Sequence, residues 1–153
     1  MINTILFTIL LTLPTQIPQF GKVVIVDLNI KKWFAYENGQ LIRNGEANGG
    51  SKRCLDTGLL KCKTPVGRWE ISKKYGPVKR SDLYPVDCKN KKKCGSKMFH
   101  YMRFHNNGTG FHGVRKLTGK NVSHGCIRLT IEDAKWLNTR FAEIGTGVIV
   151  KEY

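Results

Sequence analysis

A chain of 153 residues is long enough for one compact domain with its own core and too short for two ordinary ones. Apolar residues at 41% and charged residues at 24% are globular proportions, which excludes a wholly disordered chain. Lysines and arginines number 26 against 11 acidic residues, a formal charge of +15 that attracts polyanions such as nucleic acid, anionic lipid or an acidic envelope polymer.

The chain opens with ILFTILLTL (5–13), a run of secretory h-region length and well short of a bilayer span, in a segment free of charged side chains. Residues 1–20 are therefore expected to be an export signal, with a buried first strand as the alternative. No stable transmembrane segment is expected, and one domain occupies 21–153.

KVVIVDL (22–28) is a β-branched run that predicts a strand. Asn38-Gly39 then sits between two extended segments and predicts a hairpin, because both residues tolerate the positive φ of a type I′ turn. Residues 48–63, rich in glycine and charge, read as an exposed loop. TPVGRWEIS (64–72) turns at Pro65 and Gly67 and alternates into a strand. Residues 75–97, with Pro77, Pro85 and the basic knot KNKKK, read as a long excursion, and loops of that length are usually functional or tethered.

MFHYMRF (98–104) is strand-like, 106–110 turns, and 111–113 resumes the strand. Thr130 with Glu132 and Asp133 reads as a helix N-terminus, and Ala134, Leu137 and Phe141 follow at helical spacing. Glycines at 145 and 147 end that helix, and VIVKEY closes the chain as a final strand. The expected fold is mainly β, a sandwich or partly closed barrel with one or two short helices.

Five cysteines divide unevenly. Cys54 and Cys62 bracket a short turn-prone interval, as do Cys88 and Cys94; these four allow three pairings, of which the local one is expected because it needs no long-range assumption, and Cys126 is left free. Each such loop would gain about 2.5 kcal/mol by the chain-entropy estimate. Disulfides persist in oxidising compartments, in agreement with export; four reduced cysteines in a cytosolic protein is the alternative.

The unpaired Cys126 lies in VSHGCIRL (122–129). A thiol is a nucleophile only when ionised, about 3% of it at pH 7 for an ordinary pKa, so it needs a base or a cation nearby. His112 and His124 are both candidates. Gly125 allows backbone to approach a substrate carbonyl, so the Gly125 and Cys126 N–H groups are candidate oxyanion donors. A helix opening at Thr130 would add its positive dipole end. An inert core thiol, or zinc held by Cys126 with some of His100, His105, His112 and His124, remains open on these residues alone, though no CxxC or HxxxH spacing supports the metal.

HGVRKLTGKNVSHGCIRL (112–129) resembles the catalytic signature of YkuD-type L,D-transpeptidases: a His-Gly pair, then a Ser-His-Gly-Cys box followed by an apolar residue and Arg or Asn. VVIVDLNIKKWFAYENGQLI looks like that family's opening strands, TPVGRWEI like its Thr-Pro-x-Gly strand, and EDAKWL with GTGVIV like its closing helix and strand. The resemblance covers 21–153. It implies a mainly β L,D-transpeptidase catalytic domain needing neither metal nor cofactor, and cysteine acyl transfer on peptidoglycan stem peptides.

By that resemblance Cys126 is the nucleophile and His112 the base, oriented by the carbonyl of Gly113. Gly125 supplies an oxyanion N–H, Ser123 and His124 shape the pocket, and Arg128 holds either the loop or a substrate carboxylate. Ten residues between His112 and Ser123 make a short connection, and the cysteine pairs with the knot at 89–97 stand as additions to the common core, placed as a lid.

The expected location is the periplasm or cell envelope, with stem peptides and anionic wall polymers as partners. The alternatives are an L,D-carboxypeptidase using water as acceptor and a secreted basic surface-binding protein with an inert catalytic box. Nucleic acid is not an expected partner, because the aromatics are not interleaved with the basic run.

Overall fold

The computed structural model describes Pro18 and residues 21–153 other than Thr57, Leu59 and Leu60. Apart from Pro18, the expected leader, 1–20, lies outside the described residues. In chain order the elements are β1 (Lys22–Asp27), β2 (Lys32–Glu37), β3 (Gln40–Glu46), β4 (Gly67–Glu70), β5 (Lys73–Lys74), β6 (Val78–Arg80), the single turn α1 (Lys91–Cys94), β7 (Lys97–Arg103), β8 (Gly110–Val114), β9 (Ile127–Thr130), α2 (Ile131–Trp136) and β10 (Gly147–Val150). No described helix is long and apolar enough to cross a membrane.

Two sheets form. The first runs β3-β2-β1-β10-β4, with β1 and β10 parallel; the second runs β5-β7-β8-β9, with β8 and β9 parallel and β6 also on β7. One core joins them: Val24, Val26, Trp33, Ala35, Val148 and Val150 from the first sheet meet Met102, Phe111, Ile127 and Leu129 from the second. The architecture is thus the expected mainly β sandwich, with unclosed sheets. Strand β1, central and paired on both edges, buries Val23 to Val26 consecutively, as expected of a strand covered on both faces.

Local signals behave as their chemistry requires. Asn38 and Gly39 have φ of 50° and 79°, the geometry of the type I′ hairpin between β2 and β3. Thr130 accepts the Asp133 N–H at 3.1 Å through its hydroxyl, capping α2. Ala134, Leu137 and Phe141 are all buried, the last two on a π-helical turn (Leu137–Phe141) that extends α2.

Three sequence expectations need correction. Strand β9 intervenes between Cys126 and the helix; at about 3.3 Å per residue the cap lies about 13 Å from Cys126, too far for the dipole to matter. The excursion 75–97 is not structureless, since β6 pairs with β7 and α1 forms inside it. The segment 48–63 is not exposed throughout: Asn48, Gly49, Gly50, Cys54 and Cys62 are buried. Its glycines serve close packing, for a Cβ on Gly50 would fall 1.7 Å from the Cys62 carbonyl oxygen and 2.9 Å from Gly125 Cα.

Candidate active site

Strands β8 and β9 build the site. His112 lies opposite Arg128 in their parallel register, and Cys126 immediately precedes β9. Alternation puts Cys126 and Arg128 on one face, and His112 joins them across the strand pair. His112 and Cys126 are diagonal neighbours about 8 Å apart along the backbone, within side-chain reach. All three line one cavity of about 860 Å³.

His112 is buried, and its Nδ1 lies 3.2 Å from the Gly113 carbonyl oxygen. A carbonyl only accepts, so Nδ1 carries the proton and Nε2 is left as the basic nitrogen. Burial pushes the imidazole down to about 4, with the Arg128 charge acting the same way and the Gly113 carbonyl opposing. Packing is what requires glycine at 113: a Cβ there would meet Ile131 Cα at 2.8 Å and Ala134 Cβ at 3.2 Å, so its absence lets α2 lie against β8.

Cys126 is the free thiol, half-buried at the cavity. Burial raises its pKa, while the Gly110 amide and the Arg128 charge pull it back. Its sulfur lies 4.0 Å from the Gly108 carbonyl oxygen, which also accepts the Tyr101 hydroxyl at 2.5 Å. The resting pair is therefore a neutral thiol beside a neutral imidazole.

The turn before Cys126 is pinned by residues distant in sequence. Gly125 has a φ of 121°, a conformation that side chains with a Cβ rarely adopt. Its carbonyl accepts the Thr64 hydroxyl at 2.7 Å, and Thr64 Oγ1 in turn accepts the Gly50 N–H at 2.8 Å. Ser123 Oγ donates to the Cys126 carbonyl at 2.6 Å and accepts the Gly125 N–H at 3.1 Å. The Gly125 amide is thus engaged at rest, and a developing oxyanion would have to displace Ser123 Oγ to use it.

The short connection after β8 is tied down by Asn48, whose Oδ1 accepts the Thr118 and Gly119 N–H groups, both at 3.0 Å. Asn121 clasps the same region, accepting the Gly49 N–H and donating to the Leu28 carbonyl. Sequence reasoning missed Thr64, Asn48 and Asn121 as site residues. The Thr-Pro-x-Gly block was the available signal for Thr64.

His124, the nearer base candidate, is engaged elsewhere: its Nε2 meets Asp56 Oδ2 at 2.8 Å and its ring stacks on Tyr84. Arg128 lines the cavity with Nε buried and unbonded, and among the described residues no carboxylate pairs with it. Burial lowers its pKa, and proximity to Cys126 opposes that. Among the described residues no three His, Cys, Asp or Glu side chains gather as a metal site needs.

Both disulfides form as the local spacing predicts, Cys54–Cys62 and Cys88–Cys94. Asp56 and Lys61 from the first loop line the cavity, with residues 81–87 and Ser96 from the segment anchored by the second. The lysines of the knot point their charge elsewhere, for none of Lys89, Lys91, Lys92, Lys93 or Lys97 lines it.

A parallel β8–β9 pair thus presents a carbonyl-oriented histidine and a free cysteine to one cavity, the residue types that nucleophilic thiol chemistry needs. The L,D-transpeptidase catalytic domain family, YkuD, matches residues 21–150, and the chain belongs to that family. It is 30% identical over 128 residues to the protein named "Putative L,D-transpeptidase YciB" of Bacillus subtilis (strain 168), covering 80% of this chain and 63% of that one.

Among solved structures, the L,D-transpeptidase (residues 123–326) of Xylanimonas cellulosilytica DSM 15894 is similar at 26% identity and a TM-score of 0.73, covering 90% of this chain and 64% of that one. The L,D-transpeptidase of Stackebrandtia nassauensis is similar at 26% identity and a TM-score of 0.68, covering 90% and 58%. The chain therefore spans about three fifths of the length of these relatives.

Proposed function

We propose that the protein is an exported peptidoglycan L,D-transpeptidase that releases a C-terminal D-alanine from a tetrapeptide stem and joins the acyl group to an amine, forming 3-3 cross-links. The observation that carries this reading is the cavity in which Cys126, the Gly113-oriented His112 and the carboxylate-free Arg128 come together. Family membership supports the reaction class. The two disulfides support an oxidising compartment.

In this reading the terminal carboxylate of the donor peptide docks on Arg128 and supplies the charged partner that the half-buried guanidinium lacks. His112 Nε2 takes the Cys126 proton as sulfur bonds to the carbonyl carbon of the third stem residue. The Cys126 N–H faces the oxyanion, joined by Gly125 once Ser123 Oγ is displaced. Collapse of the tetrahedral adduct expels the D-alanine amine, which takes the proton from His112 and leaves a thioester. An acceptor amine then attacks the thioester, His112 accepts its proton, and that proton returns to the departing Cys126 sulfur.

Incubating the purified protein with a tetrapeptide muropeptide tests this. The expected products are free D-alanine and a cross-linked dimer. Tripeptide without dimer would identify a carboxypeptidase instead, and unchanged tetrapeptide would sink the enzymatic reading.

A further inference from the structure

The imidazole of His124 joins the two disulfide-anchored segments. On one side its ring lies against Tyr84, with centroids 3.8 Å apart and planes 16° from parallel. On the other its Nε2 meets Asp56 Oδ2 at 2.8 Å. Asp56 belongs to the loop closed by Cys54–Cys62, and Tyr84 to the segment anchored by Cys88–Cys94.

Neither partner is loosely placed. The Tyr84 N–H donates to Ser81 Oγ at 2.9 Å and its carbonyl accepts the Ser96 N–H at 2.8 Å, so its backbone is bonded on both sides of α1. The Gly58 N–H donates to the Cys54 carbonyl at 2.7 Å, tightening the other loop from within. A disulfide-closed loop and the segment leading into the second disulfide therefore approach one ring, and that ring stands two residues before the nucleophile. Tyr84, Asp56, His124 and Cys126 all border the same cavity.

We propose that His124 is a positioning residue that clamps the two disulfide-anchored segments across the mouth of the Cys126 cavity and sets its width for the donor peptide. The catalytic proton is handled by His112, which leaves His124 free for this task. An imidazole is suited to it: a flat face matches the Tyr84 ring, while an Nε2–H donates to a carboxylate in either the neutral or the charged state. A leucine of similar bulk would satisfy neither contact. The disulfides complete the device, because a clamp sets a width only if the segments it holds are stiff.

The clamp is tested by the access of Cys126 to thiol reagents of two sizes, a readout that does not depend on transpeptidase activity. In the oxidised protein, Tyr84→Leu or Asp56→Ala raises the alkylation rate with a fluorescein maleimide about threefold to tenfold, the scale of one lost aromatic or ionic contact, and leaves that with iodoacetamide within about twofold. Tyr84→Phe keeps the ring and the wild-type rate. In a His124→Leu background, already open, the other two substitutions add nothing. A wild-type circular dichroism spectrum and a cooperative thermal transition show that each variant is folded, and intact mass shows that both disulfides are retained.

Effects that persist in the His124→Leu background, an open Tyr84→Phe protein, or unchanged maleimide rates in Tyr84→Leu and Asp56→Ala would overturn the clamp. A kinetic readout rests on the transpeptidase reading: with a tetrapeptide donor, Tyr84→Leu raises KM and largely spares kcat. If no variant and no wild-type protein turns over the donor, that reading fails while the alkylation result still decides the clamp.

Discussion

The Nδ1 of His112 faces the carbonyl oxygen of Gly113, its own neighbour on β8, at 3.2 Å. A peptide carbonyl occupies the place that a carboxylate holds in other histidine-assisted nucleophilic sites, and it orients the ring without adding a negative charge. Burial outweighs the opposing hydrogen bond to Gly113, and the Arg128 charge adds to it, which is why the ring is neutral well below the usual histidine range.

That neutrality fixes a pH dependence. Folded His112 protonates near 4 and an unfolded histidine near 6.5, so between those values the unfolded chain binds the extra proton and acid favours unfolding. The contribution is full above the unfolded value and is lost as pH falls towards 4, by an amount on the order of 3 kcal/mol. Denaturant midpoints at pH 7 and 4.5 should show this loss, and His112→Gln should flatten it. In the folded enzyme the acidic limb of kcat/KM should sit near 4; a limb at 6.5 would refute the buried neutral base.

Arg128 supports a prediction of opposite sign for binding and stability. Its Nε is buried without a partner, and no described carboxylate pairs with its charge. Arg128→Met should therefore leave the fold unharmed or slightly more stable, since it removes a half-buried charge that no described carboxylate compensates. The same change should raise KM about tenfold to a hundredfold for a donor with a free terminal carboxylate, and hardly at all for the amide-capped donor. Equal effects on both donors would assign Arg128 a purely structural role.

Thr64 shows how a residue far away in sequence governs the nucleophile turn. It is 1% exposed, and its hydroxyl both accepts from Gly50 and donates to Gly125. Thr64→Val strands two buried backbone groups, so a loss of about 2–4 kcal/mol in unfolding free energy is expected. The loosened turn should also lower kcat by about tenfold or more, because small displacements of a nucleophile are costly. Thr64→Ser, which keeps the hydroxyl, should restore most of both; a Ser variant as poor as Val would show that the methyl packing matters instead.

What the sequence made legible follows from how local each signal is. The Asn38-Gly39 turn, the Thr130 cap and the two disulfides involve partners within nine positions of each other, and each formed as its chemistry predicts. The Cys126 box and His112 were legible because the family pattern preserves their order. Thr64 bonding to Gly125, Asn48 to the 118–119 turn and Asp56 to His124 span 61 or more positions, and nothing in chain order announces such pairs. Glycines at 49 and 50 misled for a related reason. Composition reads them as flexible, whereas the structure uses Gly49 to admit the Leu28 and Thr64 side chains and Gly50 to lie against the backbone of Cys62 and Gly125.

The resting ionisation of Cys126 gives the last test. Burial raises its pKa and His112 is held neutral, so the site at pH 7 holds a protonated thiol instead of the thiolate–imidazolium pair found in some cysteine enzymes. Alkylation of the unreduced folded protein should modify Cys126 alone, because the other four cysteines are bridged. Its rate at pH 7 should fall below that of a free cysteine and climb in one step through alkaline pH. A rate plateau extending down to about pH 5 would reveal a preformed ion pair and reverse the order of proton transfer and attack. Modification at Cys54, Cys62, Cys88 or Cys94 would instead refute the disulfide pairing that anchors the two segments bordering the cavity.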